Sequence, residues 1–219
     1  EMFVRRPNED QTWLVTGAVD VLRTPPLWLR AEAFDLPQAR VREVRIQHPG
    51  AAPLALVRAA ADEPFRLEAA LPKGRTPRAS TVNAAAYGLQ HLSLQDVYQP
   101  GEVTTDWDQA TTVEFTTFDG LSVTARVARV NDTPYVRLSA VVAGSVTDQQ
   151  REAATTEAAR INRDNEAWVY VVPAHTVATF TPTLDDLLEP LPPPAGAPPT
   201  GGPPVPRMPG MMPGGAPGM

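Results

Sequence analysis

An α+β fold, with mostly antiparallel sheets and helices packed on one face, is what this sequence predicts. Three observations predict it. Short segments alternate apolar and polar residues between turn signals, two segments space their apolar residues at helical intervals, and the composition changes abruptly near Pro190. A period of two gives a strand one covered face and one wet face, the habit of antiparallel sheets.

Taken in order, Phe3 to Arg6 and Trp13 to Thr16 read as short strands joined by the polar turn Pro7-Asn8-Glu9-Asp10. Pro25 and Pro26 precede Leu27-Trp28-Leu29, a helix of one or two turns ending near Pro37. Val41, Val44 and Ile46 lead a strand into His48-Pro49-Gly50, which is turn chemistry. Strands resume at Leu54 to Arg58 and at Phe65 to Glu68. Ser80 or Thr81 caps a helix whose apolar residues Val82, Ala85, Ala86, Leu89 and Leu92 face the sheet, with Gly88 as its weak point. Val113 to Phe118 and Leu121 to Val127 alternate on either side of Asp119-Gly120, which signals a type I′ hairpin turn. Asn131-Asp132 marks a second turn before Tyr135 to Leu138. Asp148 caps a polar helix to about Glu166, with Ala154, Ala158 and Ile161 on one face. Trp168 to Val172 is a strand, and Thr183 caps a last short piece carrying Leu184, Leu187 and Leu188.

Residues 190–219 hold twelve of the 25 prolines, seven of the 14 glycines and four of the five methionines. Such a segment has little to bury and loses a backbone donor at each proline, so it is predicted to be a disordered tail. The rest is long enough for an ordinary hydrophobic core.

The net charge of −6 comes from interspersed acids and bases, with no concentrated basic footprint, so no nucleic-acid partner is expected. Lys73, Arg75 and Arg78 lie beside Gly74 and Pro77 and read as a solvated loop. With no cysteine, the chain has no disulfide, thiolate metal site or cysteine nucleophile, and both reducing and oxidising compartments remain open. No apolar run is long enough to span a membrane. The chain enters strand-like sequence directly at Glu1, from which an upstream segment is expected.

Two regions share a layout. Phe3-Val4-Arg5 precedes Trp13-Leu14-Val15 and a leucine-bearing piece, as Tyr135-Val136-Arg137 precedes Trp168-Val169-Tyr170 and Leu187-Leu188. This suggests repeated α/β modules: residues 1–37 as the end of a truncated preceding module, 38–189 as an α+β module and 190–219 as the tail. The run Phe3-Val4-Arg5-Arg6-Pro7 with Trp13-Leu14-Val15, then Val44-Arg45-Ile46, Leu56-Val57-Arg58, Phe118-Asp119-Gly120-Leu121 and Trp168 through Tyr170 to Pro173, resembles the domain of unknown function 4340 family. The resemblance covers most of residues 1–189. It implies a bacterial protein tethered by one membrane helix, here expected upstream of Glu1. Its α+β modules would face the extracytoplasmic side of the inner membrane, with membrane partners in a gliding-motility-like ABC transport assembly. It brings no catalytic residue.

The residues themselves show little chemistry. His48, His91 and His175 are dispersed and lack ligand spacing, so no metal is expected. Asp106 with Asp108, and Asp185 with Asp186, read as solvated loop acids and not as a glycosidase pair or a calcium loop. No nucleophile elbow and no phosphate-cradling glycine loop occurs, so no nucleotide or other cofactor is expected. Met208, Met211, Met212 and Met219 offer thioethers without histidine support and read as part of a spacer. Of the tryptophans, Trp13 and Trp168 are expected in the core, and Trp28 anchors its short helix. Trp107 is the candidate exposed aromatic for binding a ligand. The expected function is a non-catalytic scaffold or interaction domain; the alternative is a cell-wall polysaccharide-binding module using Trp107. A hydrolase would need Asp106 or Asp108 to meet other polar groups in a cleft.

Overall fold

Alternation along residues 111–142 builds the centre of the molecule, and each flanking strand extends it by one ladder. The computed structural model describes residues 1–17, 32–144 and 146–191. In chain order its strands are Met2–Arg5 (β1), Thr12–Val15 (β2), Glu32–Phe34 (β3), Val41–Gln47 (β4), Leu54–Val57 (β5), Arg66–Glu68 (β6), Arg75–Pro77 (β7), Leu92–Ser93 (β8), Asp96–Tyr98 (β9), Thr111–Thr117 (β10), Leu121–Val130 (β11), Thr133–Val142 (β12), Val169–Val171 (β13) and Leu188–Pro190 (β14). The helices are Ala79–Ala85 (α1), Asp148–Asn165 (α2) and Ala174–Phe180 (α3).

Eight strands form one sheet in the order β6-β5-β4-β10-β11-β12-β13-β9, each antiparallel to its neighbour. Val113 and Phe115, Val123 and Ala125, Val136 and Leu138, and Val44 and Ile46 turn to one face and are buried there. Val82 and Ala85 of α1, Ala158 and Ile161 of α2, and Val177 and Phe180 of α3 join them in a single core. Burying each such aliphatic side chain stabilises the fold by roughly 1.5–3 kcal/mol before the entropy of ordering is counted. The Phe115 and Phe180 rings meet edge to face at 6.3 Å between centroids, which pins α3 to the middle of the sheet. The opposite positions, among them Thr112, Glu114, Thr124, Arg126 and Arg137, remain partly accessible. The α+β architecture and its large antiparallel sheet therefore follow the alternation read from the sequence.

Several local expectations are corrected. The helix expected at 80–92 ends at Ala85, its N-cap is Arg78 without a side-chain cap, and turns follow through Gly88. A Cβ on Gly88 would stand 2.1 Å from Cβ of Phe180, so the glycine marks the contact of this turn with α3. The type I′ turn expected at Asp119-Gly120 is not found there. At 118–120 only Gly120 is left-handed (φ +92°), the pattern of a type I turn closed by a glycine bulge. Asn131 and Asp132 both have positive φ, 49° and 64°, between paired Val130 and Thr133, and they form the type I′ turn.

Thr147, not Asp148, caps α2, and its capping box with Gln150 is complete. Of the basic stretch, Lys73 lies in an exposed turn, whereas Arg75 opens strand β7 and Arg78 precedes α1. β7 pairs with β14, and Arg75 and Arg78 approach Asp185 at 3.7 Å and Glu189 at 3.6 Å. After Thr183, turns lead directly into β14. Leu191 still donates its N–H to the Gly74 carbonyl at 2.8 Å, so order passes the expected boundary at 190.

The division after Pro37 also shifts. β3 pairs with β8, and Leu36 is buried in the main core, so residues 32–37 pack with the larger unit. In the suggested repeat, β1 and β2 set Val4 opposite Trp13, whereas β12 and β13 set Val136 opposite Tyr170. Both pairs are antiparallel, with registers two residues apart. Leu27-Trp28-Leu29 and the tail from residue 192 onward lie outside the described residues.

Candidate binding cleft

The cleft arises where the sheet splits. β12 pairs with β11 over its whole length but with β13 only at Tyr135 and Val136. Beyond that point the chain before β13 turns away into the end of α2, where the Trp168 N–H donates to the Asn165 carbonyl at 3.0 Å. Asn162 of α2 takes the place of a strand. Its amide nitrogen donates to the Ala140 carbonyl at 2.8 Å, and its oxygen accepts the Ala140 N–H at 2.7 Å. This satisfies an edge that would otherwise leave backbone groups unpaired. Tyr170, on the core side, donates its hydroxyl to Asn165 at 2.9 Å, and burial pushes its pKa up to about 12.

What remains is a cleft of about 560 Å³ whose lining includes Arg126, Arg137, Ser139, Asn162, Glu166 and Trp168. The register places Arg126 directly opposite Arg137 on the accessible face of β11 and β12. Like charges directly opposite each other are unfavourable. Among the described residues neither guanidinium has a carboxylate partner within 4.0 Å.

Trp107 orients both arginines. Its ring stacks on the Arg137 guanidinium, with Cζ 4.7 Å from the centroid, and its carbonyl accepts a hydrogen bond from Arg126 Nη2. The ring is partly buried in this role and does not form a free platform. Trp168, expected in the core, is instead the exposed tryptophan among the described residues: it is 40 % exposed and lines the cleft.

The other candidates go elsewhere. Asp106 accepts the Asp108 N–H at 2.9 Å as the cap of a short 3-10 helix, and both carboxylates are exposed. Asp186 accepts from the Thr183 N–H at 2.9 Å and hydroxyl at 2.7 Å, and these bonds hold its pKa below the usual carboxylate range. His48 bridges Thr111 Oγ1 at 3.2 Å and the Pro182 carbonyl at 3.0 Å, and His175 is exposed in the first turn of α3. Trp13 is partly buried beneath Arg6, 5.6 Å from its ring centroid.

His91 alone meets other ligand-type groups. Its Nδ1 lies 2.9 Å from Glu32 Oε2 and 3.6 Å from Asp35 Oδ1, where pairing of β3 with β8 brings them together. The three donor atoms lie within 4.8 Å of one another, and all three residues are exposed. The hydrogen bond to Glu32, then the charge of Asp35, raises the His91 pKa. As it stands the trio is an ion-paired clamp. Linear spacing hid it because its members are 59 and 56 residues apart.

No family model, curated protein or solved structure matches the chain. The fold defines an α+β protein with an eight-stranded antiparallel sheet, one of whose faces is accessible.

Proposed function

We propose that this chain is a non-catalytic interaction domain that engages its partner through the accessible face of the large sheet. The observation that carries this reading is the Arg126–Arg137 pair, two guanidiniums aligned by strand register and held by Trp107 without a carboxylate counter-ion among the described residues. Aligned guanidiniums favour an anionic group on whatever docks there. The motif resemblance supports a finer reading. In it the domain belongs to a membrane-anchored bacterial envelope protein, faces the extracytoplasmic side of the inner membrane and serves a gliding-motility-like ABC transport assembly. No described helix is long and apolar enough to cross a membrane, so a tether would come from elsewhere in the protein.

Co-purification of the full protein from detergent-solubilised membranes tests this. Transporter subunits are expected to accompany the wild type and to be lost with Arg126→Glu/Arg137→Glu. Recovery in the cytosol without those subunits would contradict the proposal.

A second reading, a cell-wall polysaccharide-binding module, is favoured by the exposed indole of Trp168 at the rim of a cleft that also carries polar groups. Aromatic faces beside hydrogen-bonding groups suit sugar rings, which are apolar on their faces and polar at their edges. Glycan pull-down with Trp168→Ala separates the readings, because only the second requires the indole.

A further inference from the structure

We propose that the cleft between β12 and the end of α2 takes an acidic saccharide, with the sugar ring on Trp168 and its carboxylate between Arg126 and Arg137. The inference rests on the saccharide reading and specifies its substrate class.

The polar groups left free by the fold argue for this class. Asn162 commits both ends of its amide to Ala140, and Asn165 bonds the Ile161 carbonyl and the Tyr170 hydroxyl. The groups that can turn to a ligand are therefore Arg126, Arg137, the exposed Ser139 hydroxyl and the exposed Glu166 carboxylate. Two guanidiniums match a carboxylate, which accepts paired N–H bonds in one plane. Glu166 has no use for a bare anion, but it can accept hydrogen bonds from sugar hydroxyls. Trp168 supplies a flat apolar face that a bare anion would leave unused.

Local charge argues against a polyanion such as nucleic acid. Among the described residues two cations line the cleft, Glu166 opposes them, and the chain carries a net charge of −6. The strand register adds a driving force. The facing guanidiniums repel one another in the free protein, and a carboxylate placed between them relieves that repulsion on binding. Trp107 acts as a positioning residue, since it fixes both guanidiniums while its own ring stays beneath Arg137.

Calorimetric titration with tetragalacturonate and with its fully methyl-esterified, neutral counterpart tests the proposal. The acidic form is expected to bind the wild type roughly tenfold tighter or more, with added salt removing most of that gain. Arg126→Gln/Arg137→Gln is expected to bring the two forms to equal affinity, and Trp168→Ala to weaken both. Trp107→Ala should reduce the preference for the acidic form while leaving affinity for the ester unchanged, a split that mere loss of packing would not produce.

Equal binding of acid and ester by the wild type would overturn the acidic specificity and leave the saccharide reading intact. Binding of neither form would overturn both. Displacement of tetragalacturonate by equimolar inorganic phosphate would reduce the cleft to a general anion site and overturn the saccharide assignment. The salt and ester comparisons use the wild type alone, so they hold even if a variant fails to fold.

Discussion

Gly88 and Arg58 show how single positions hold this fold together. A methyl group at residue 88 would stand 2.1 Å from Phe180 Cβ and 2.5 Å from its Cγ, and Phe180 is fixed in turn against Phe115. Neither neighbour can yield without opening the core, so Gly88→Ala is expected to cost about 1–3 kcal/mol, read as a lowered urea midpoint. Arg58 is 5 % exposed and, among the described residues, has no carboxylate within 4.0 Å. Its guanidinium donates to the carbonyls of Val41 at 2.7 Å, Ala61 at 2.5 Å and Gln38 at 2.6 Å, and stacks on Phe65 with Cζ 4.6 Å from the ring centroid. Arg58→Met keeps most of the stem but strands those carbonyls, and it should cost about 3 kcal/mol in the same measurement. Neither role was legible in the sequence. Gly88 reads there as a weak point of a helix, and Arg58 as the end of a strand, because both roles depend on partners distant along the chain. Arg137 is different, since one signal does lead to it. A two-residue turn at Asn131-Asp132 pairs Val130 with Thr133 and, four residues further on each side, Arg126 with Arg137.

Elements with a sustained alternation or helical repeat were readable, and several of the shortest ones were not. β10, β11 and β12 alternate over seven to ten residues, and α2 repeats its small apolar residues over eighteen. β7, β8, β9 and β14 are two or three residues long, too short to show a period, and are defined by what they pair with. α3 has two buried apolar residues, Val177 and Phe180, and only Pro173 announces its start. Two predictions belong to this scale. α2 is tied to the sheet by Arg40, whose guanidinium meets Glu157 in two parallel bonds of 2.9 and 2.8 Å and also reaches Asp119. The Arg40 pKa is raised chiefly by the Glu157 bond. Glu157→Gln should cost about 1 kcal/mol in thermal unfolding, because the pair is partly solvated. The second concerns the β3–β8 clamp. The His91 pKa is raised in the folded state by Glu32 and then Asp35, so the clamp's contribution is fully present below the ordinary histidine value of about 6.5. It is lost as pH rises through the raised folded value. Amide exchange at Leu92 should therefore quicken with pH beyond its intrinsic dependence in the wild type, and not in His91→Gln, which is uncharged at every pH.

At the scale of the whole molecule, one face of the sheet is buried in the core and the other is accessible. All three helices lie on the covered side, where their buried residues form a single cluster with the strands. The accessible side keeps arginines, threonines and glutamates in rows across β4, β10, β11 and β12, and it opens into a cleft only where β12 and β13 part. The division into faces was legible because alternation encodes it directly. The cleft was not, because it depends on where a strand pairing stops. That division makes the accessible face the surface on which recognition is proposed to occur. Chemical-shift mapping of the labelled protein with tetragalacturonate tests this most directly. Perturbations gathered on the Arg126, Arg137, Ser139 and Glu166 amides and the Trp168 indole are the expected result, with Val113, Phe115, α1 and α3 silent. Shifts confined to the helical side, or none at all, would contradict it.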